Sequence, residues 1–407
     1  MFLLISSVTF ANEPLKIGVI TDTHYLSEQL MDNGYALDEY IYVSGKNVKY
    51  VPAILDQVLN DYLQSDIQVL LVCGDITNDG EKQSHIDFLK KLEPLQKKGV
   101  KVYVIPGNHD VNMPHPISFK GNKKFPTDNV SSAMFAELYN NCGYGNAINR
   151  DASSLSYVAE LNNDTWLLAI DAAKYADYTT SSITSGRILP ETEKWVLAML
   201  EEAKLQNKHL IGMMHWGLTE HIIYQSLFFK EYLVDDWKRL ANLFADNGMK
   251  AIFTGHFHSN DITAFHSDNG STIYDIETGT LSAYPFSYRF VTLDKGGMSV
   301  DTKNIVSIPE KPDLAEADKA RMLALSTRLS KIKLKGLGYD LSSDALALFS
   351  EVLGQIFIKH AYGDEKVDDQ LKQTMEKLAT LMETPIDTDD VVLDFPPADN
   401  NIEIKFD

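Results

Sequence analysis

Five short stretches of this sequence carry side chains suited to metal chemistry. They are Asp22-Thr23-His24, Gly74-Asp75, Gly107-Asn108-His109-Asp110, His215 and Gly255-His256-Phe257-His258. Each follows directly on an apolar run: "IGVIT", "LLVC", "VYVIP", "IGMM" and "AIFT". Asp, Asn and His supply the oxygen and nitrogen donors that suit Mn, Fe or Zn. Taken singly, each has an ordinary structural explanation. A lone Asp after a strand is commonly a helix cap, a lone Asn a turn residue, and a lone His a hydrogen-bonded core group. Five such strand ends in one chain make coincidence a poor rival to a metal site.

The elements that must position these residues are legible as β-rich runs alternating with helical patterns. Residues 15–21, 67–73, 101–106, 166–171, 208–214 and 249–254 are near-continuous apolar segments, as strands covered on both faces require. Helical patterns fall near 52–64, 81–98, 190–206 and 232–247, with Pro190 and the acidic Glu191 and Glu193 opening the third. A hairpin is predicted to turn at Asn162–Asp164, and further closing antiparallel strands are predicted over 273–301. In α/β sheets, ligands gather where the carboxyl ends of strands meet, which is where all five stretches fall. The loops 25–50 and 111–130 are long for a compact domain, a length associated with function or disorder.

Composition narrows the function classes. The chain has 407 residues, 44% hydrophobic and 23% charged, which is an ordinary globular balance. A net charge of −20 argues against a nucleic-acid polymer or an anionic membrane as partner. No apolar run is long enough for a transmembrane segment. Residues 1–11 read as a secretory signal peptide that lacks its basic n-region, with Thr9 and Ala11 as small cleavage-site residues. Secretion or a periplasmic location follows as the expectation. Cys73 and Cys142 are the only cysteines and make no disulfide framework; whether they pair is left open.

A change of character after Pro309 and Pro312 marks a second unit. Asp313 with Glu316 has the pattern of a capping box opening a helix to about residue 333. Ser342 or Ser343 caps a second helix that Gly363 stops, and Leu371, Met375, Leu378 and Met382 mark a third. The predicted organisation is a catalytic domain over 12–308, a small helical domain over 309–390 and an acidic tail over 391–407. The helical domain carries no recognisable chemistry and is expected to pack or to shape the substrate site.

The series D-x-H, GD, GNHD, H and GHxH resembles the calcineurin-like metallophosphoesterase family over residues 16 to about 262. The continuation "PGNHDVNMP", the "FPTD" at 125–128 and the helical extension resemble the Listeria-type bacterial calcineurin-like phosphodiesterases, close to the class III cyclic-nucleotide phosphodiesterases. The resemblance implies an α/β fold, a four-layer αββα sandwich with a small all-helical C-terminal extension. It implies two divalent metal ions (Mn, Fe or Zn). Asp22, His24, Asp75 and His258 would hold the first, and Asp75, Asn108, His215 and His256 the second. His109, a catalytic residue but not a ligand, would stabilise charge or protonate the leaving alkoxide. Alternate side chains of a strand point the same way, so His256 and His258 can serve different ions only if the backbone kinks at Phe257.

The function so implied is phosphoester hydrolysis, with a metal-bridging hydroxide attacking in line. The substrate would be a small phosphodiester, including cyclic nucleotides; a phosphomonoesterase or nucleotidase is the alternative, and a non-catalytic metal-binding module a third. Two divalent ions outweigh Asp22 and Asp75 locally, and acidic surface groups beyond about 8–10 Å are screened. In one place the chain departs from the family pattern. Gly74-Asp75-Ile76-Thr77-Asn78 lacks both the tyrosine of purple acid phosphatases and the aspartate of other branches. His109 is therefore expected to lack a carboxylate partner, with Asn78 left to orient it and Asp79 pointing elsewhere. His221, Lys120, Tyr25 and Arg187 are weaker candidates for the pocket wall.

Overall fold

The computed structural model describes residues 13–338, 341–383, 387–388 and 391–406. The expected signal segment lies outside these residues. Two sheets form the body of the molecule. The first has six strands, in spatial order Asn401–Lys405, Gly297–Asn304, Ser287–Asp294, Leu15–Ile20, Val69–Val72 and Lys101–Val104. The second has seven, ordered Asp261–His266, Thr272–Glu277, Ala251–Thr254, His209–Met214, Thr165–Ile170, Tyr157–Glu160 and Asn149–Arg150. The centre of each sheet is parallel, with Ile17 opposite Val69 and Val69 opposite Lys101 in the first. In the second, Thr165 faces His209 and Ile252 faces Gly212.

Side-chain alternation divides the second sheet between two cores. Leu167, Ala169, Ile211, Met213 and Phe253 point inward and share a cluster with Ile17, Val19, Leu71 and the helices Val51–Gln64 and Lys82–Lys98. Their strand neighbours Trp166, Leu168, Ile170 and Met214 face outward onto the helices Pro190–Leu205 and Trp237–Asp246. Both faces of the central strands are thereby covered, the reason their sequences are continuously apolar. The result is the α/β sandwich of helix, sheet, sheet and helix layers.

Three helices follow, Leu314–Gly336, Ser343–Tyr362 and Asp369–Leu381. Ser342 caps the second through its hydroxyl, which accepts from the Ala345 amide at 3.2 Å. Asp313 precedes the first helix but makes no side-chain cap, so the capping-box pattern is not realised there. Asp318 instead ties this helix to the sandwich, accepting from Asn47 Nδ2 at 3.0 Å and the Tyr284 amide at 2.8 Å. The segment after 391 is not a loose appendage: Asn401–Lys405 completes the edge of the first sheet, with Val300 opposite Ile402.

Both long loops contain structure of their own. Tyr35–Ser44 is a helix, and Ile117–Lys120 with Lys123–Pro126 forms a small hairpin. The hairpin at Asn162–Asp164 forms as expected, closed by Asn162 Oδ1 accepting from the Asp164 and Thr165 amides. Cys73 and Cys142 are both buried and both free. No helix among the described residues is long and apolar enough to cross a membrane.

Candidate metal centre

The carboxyl ends of strands from both sheets meet at one point. Leu15–Ile20 and Val69–Val72 deliver Asp22, His24 and Asp75 from the first sheet; His209–Met214 and Ala251–Thr254 deliver His215, His256 and His258 from the second. Two groups of donors result: Asp22, His24 and His258, and Asp75, His215 and His256, with ligand atoms in each group within 4.8 Å of one another. Asp75 stands between them. Its Oδ2 is 3.7 Å from His24 Nε2 and 3.4 Å from His215 Nε2. His258 Nε2 lies 3.1 Å from Asp22 Oδ1, and His215 Nε2 3.9 Å from the same oxygen.

The backbone at these residues is unusual. Asp22, His24, Asp75, His256 and His258 all have positive φ, between 43° and 75°. A non-glycine residue held there is strained, and such strain persists where the surrounding structure enforces it. At His256 the form is a γ-turn, in which the Phe257 amide donates to the Gly255 carbonyl at 2.9 Å and φ is 75°. This is the kink that two histidines separated by one residue require. It sends His256 toward His215 and His258 toward His24, with ring centroids 4.7 and 5.1 Å apart. Gly74 has φ 92°, and a Cβ there would come within 2.6 Å of His215 Nδ1.

Surrounding groups aim the donors. His215 Nδ1 donates to the Cys73 carbonyl at 2.8 Å, which turns Nε2 toward the cluster. Asp22 Oδ2 accepts from the His256 amide at 2.9 Å and Thr21 Oγ1 at 2.7 Å. His256 Nε2 meets the Glu231 carbonyl at 3.3 Å. Asp110 clamps two of the loops together, accepting from the amides of Gly107, Ile76 and Thr77 at 2.8, 3.2 and 2.9 Å.

What remains unsatisfied is informative. Asp22 Oδ1, His215 Nε2 and Asn108 Oδ1 are buried and have no hydrogen-bond partner among the described residues. Buried polar atoms without partners are costly and call for an explanation. Burial opposes charge on His215, yet Asp75 and Asp22 outweigh it and push the imidazole up to about 9. Burial likewise raises Asp75, and the neighbouring His215 and His109 outweigh it, holding the carboxyl well below its ordinary value. The protein alone leaves electron pairs converging on a space that favours positive charge, and these oxygen and nitrogen donors fit a divalent metal pair.

His109 stands beside this cluster, its ring edge-on to His24 at 5.2 Å. Its amide donates to Asp75 Oδ1 at 2.8 Å. One expectation is overturned here: Asp79 does not point elsewhere. His109 Nδ1 donates to Asp79 Oδ1 at 2.8 Å, whereas Asn78 turns to Tyr40, whose hydroxyl donates to Asn78 Oδ1 at 2.8 Å. The carboxylate partner is present, one position later than the family spacing implies. Burial alone raises the Asp79 carboxyl, but His109 and Lys46 outweigh it and hold it ionised below the ordinary value.

Two neighbours have no signal in the sequence. Lys46 Nζ lies 3.4 and 3.2 Å from the two ring nitrogens of His109, and Tyr178 Oη donates to the Asn108 carbonyl at 3.1 Å. Both come from connecting segments that no motif marks. The weaker candidates lie away from the centre. Tyr25 is buried against Phe88, Lys120 sits in the small hairpin, and Arg187 makes an exposed pair with Asp177. His221 is fully buried among Asp261, Asp275 and Glu277.

Residues 15–260 match the calcineurin-like phosphoesterase family, more than half of the chain, and the protein belongs to that family. It is by family a phosphoester hydrolase. A search of curated proteins found no match. Among solved structures, a dimetal phosphatase from Danio rerio superposes with a TM-score of 0.51 at 13% identity, over 72% of this chain and 97% of that one. A purple acid phosphatase from yellow lupin (Lupinus luteus) seeds aligns with a TM-score of 0.46 at 14% identity, covering 72% of this chain and 51% of its own. The first of these shows the shared fold.

Proposed function

We propose that this protein is a two-metal phosphodiesterase acting on small phosphodiesters, cyclic nucleotides among them. The observation that carries the reading is the convergence of both donor groups on Asp75, with a carboxylate-anchored histidine at their edge. Asp22, His24, Asp75 and His258 would hold one ion, and Asp75, Asn108, His215 and His256 the other. When bound, such a pair supplies Lewis acidity toward phosphoryl oxygens and acidifies water. The dimetal nature of the Danio rerio phosphatase supports the same stoichiometry here.

The chain's own residues supply the rest. His109 protonates the departing alkoxide, the step a poor leaving group needs. Asp79 fixes the imidazole through Nδ1, which leaves Nε2 to carry the transferred proton. Lys46 adds a positive charge where an anionic substrate must approach. The diester preference rests on the resemblance to Listeria-type and class III cyclic-nucleotide phosphodiesterases. The apolar start of the chain supports an exported location.

Parallel assays of the Mn-reconstituted enzyme on bis-p-nitrophenyl phosphate and p-nitrophenyl phosphate test the reading. The diester is expected to show the higher kcat/KM. A monoester preference would assign a phosphomonoesterase or nucleotidase, and hydrolysis of neither a non-catalytic module.

A further inference from the structure

A second group of acids, three buried and Asp394 half-buried, lies where the C-terminal residues meet the second sheet. Asp261 opens the edge strand three positions after His258, and Glu365 follows the helix Ser343–Tyr362. Asp394 and Asp399 come from the segment leading to Asn401–Lys405. One oxygen from each of these four carboxylates lies within 4.8 Å of the others. Asp261 and Asp399 are fully buried, and Glu365 is 5% exposed.

The protein only partly satisfies them. Asp399 accepts from the Ile262 and Asp364 amides at 2.9 and 2.5 Å. Asp261 Oδ1 accepts from His221 Nδ1 at 2.7 Å and Thr263 Oγ1 at 2.8 Å. Asp261 Oδ2, Glu365 Oε2 and Asp394 Oδ1 have no hydrogen-bond partner among the described residues. Two histidines supply part of the counter-charge: His221 pairs with Asp261 Oδ1, and His360 Nδ1 pairs with Glu365 Oε1 and lies 4.0 Å from Asp261 Oδ2. Arg289 donates to the carbonyls of Asp399 and Glu277, each at 2.6 Å. Two histidines and an arginine that spends its hydrogen bonds on carbonyls leave those oxygens of the four carboxylates unpartnered, and such oxygens must take up protons or a cation.

We propose that these four carboxylates form a binding site for one hard divalent cation, Ca²⁺ by preference, separate from the dinuclear centre. The donors are all oxygens, with His360 Nδ1 already engaged by Glu365, and such a set selects Ca²⁺ over Zn²⁺. Oxygens on opposite sides of a Ca²⁺ ion, each about 2.4 Å from it, are about 4.8 Å apart. Burial, and after it neighbouring acids, pushes Asp394 up to about 7 and Asp399 up to about 9, so protons compete with a cation for these oxygens. The ion would fasten the C-terminal segment to the strand leaving His258. His360 already touches Phe257 at 5.0 Å, and Asn260 donates to the Ala361 carbonyl at 3.3 Å.

The test is the melting temperature of the full chain, stripped by chelator, reloaded with saturating Mn²⁺ and titrated with CaCl₂. A saturable rise in Tm is expected. It should persist in His215→Ala and vanish in the double variant Glu365→Gln/Asp394→Asn. No response in the native chain, an undiminished response in the double variant, or loss of the response in His215→Ala would each overturn the proposal. So would a native Tm that ignores calcium and rises only as pH falls, which would assign protons to the cluster. Should the double variant not fold, elemental analysis of the native chain dialysed against Ca²⁺ decides. One calcium per chain is expected, and none overturns the site. These readouts do not use phosphoesterase activity, so their failure is distinct from failure of the functional reading.

Discussion

Asp79 Oδ1 accepts a hydrogen bond from His109 Nδ1 at 2.8 Å, and both side chains are largely buried beside the donor cluster. A carboxylate so placed fixes ring orientation and tautomer. Removing the imidazole altogether in His109→Ala is expected to lower kcat by about 10²–10⁴-fold. Asp79→Asn keeps the shape but loses the charge, and should lower kcat by about 10-fold, a fraction of that effect. Both variants should retain their metal, as read by elemental analysis. Undiminished turnover in Asp79→Asn would remove it as a positioning residue.

Lys46 reaches His109 from the segment between the helices Tyr35–Ser44 and Val51–Gln64. Its charge serves substrate capture more than the proton step. Lys46→Ala is expected to raise KM by about 10–100-fold, the worth of one hydrogen bond to a charged group. A smaller effect on kcat should accompany it, and Lys46→Arg should recover part of the loss. Steady-state kinetics on the preferred ester separates the two parameters.

His215 donates to the Cys73 carbonyl and directs Nε2 at Asp75. Without it, one donor group loses a nitrogen while the other stays whole. His215→Ala should lower bound metal from two ions per chain toward one. A count that stays at two would contradict the ligand assignment.

Glu81 has a pH signature that can be worked out in sign. It is fully buried, and burial together with the charge of Asp79 pushes its carboxyl up to about 8 from an ordinary 4.5. The folded chain thus holds a proton that the unfolded chain has released. Its contribution to stability is full below 4.5 and is lost as pH rises through 8. Glu81→Gln has no proton to lose. The stability of the variant relative to the native chain should therefore climb across that window and level off above it. Urea midpoints measured at intervals of pH check this; a flat difference would show that Glu81 titrates normally.

Much of the centre was legible because its donors lie next to the strands that carry them. An apolar run that ends in a polar residue, at three of the five ends through a glycine, marks a strand end, and Asp22, His24, Asp75, Asn108, His215, His256 and His258 all lie at such ends. The strands themselves were readable because burial on both faces demands continuous apolar sequence. Asp79 was misjudged by extrapolating a turn from spacing alone; its direction depends on where Glu81 and Tyr40 hold the loop. Lys46 and Tyr178 lie in segments whose paths no local pattern specifies.

Local chemistry along the chain therefore determined which residues are donors, which segments are strands, and that a phosphoester hydrolase was to be expected. Tertiary structure decided how those donors are shared out. At the γ-turn of His256, Asp22 from the other sheet accepts from the His256 amide. The pairing of residues 401–405 with a strand a hundred positions earlier, and the meeting of Asp261 with Glu365, Asp394 and Asp399, are likewise long-range events. Periodicity and motif spacing report what a residue does within a few positions of itself. Contacts between distant segments depend on the packing of both sheets at once, and no single stretch of sequence contains that information.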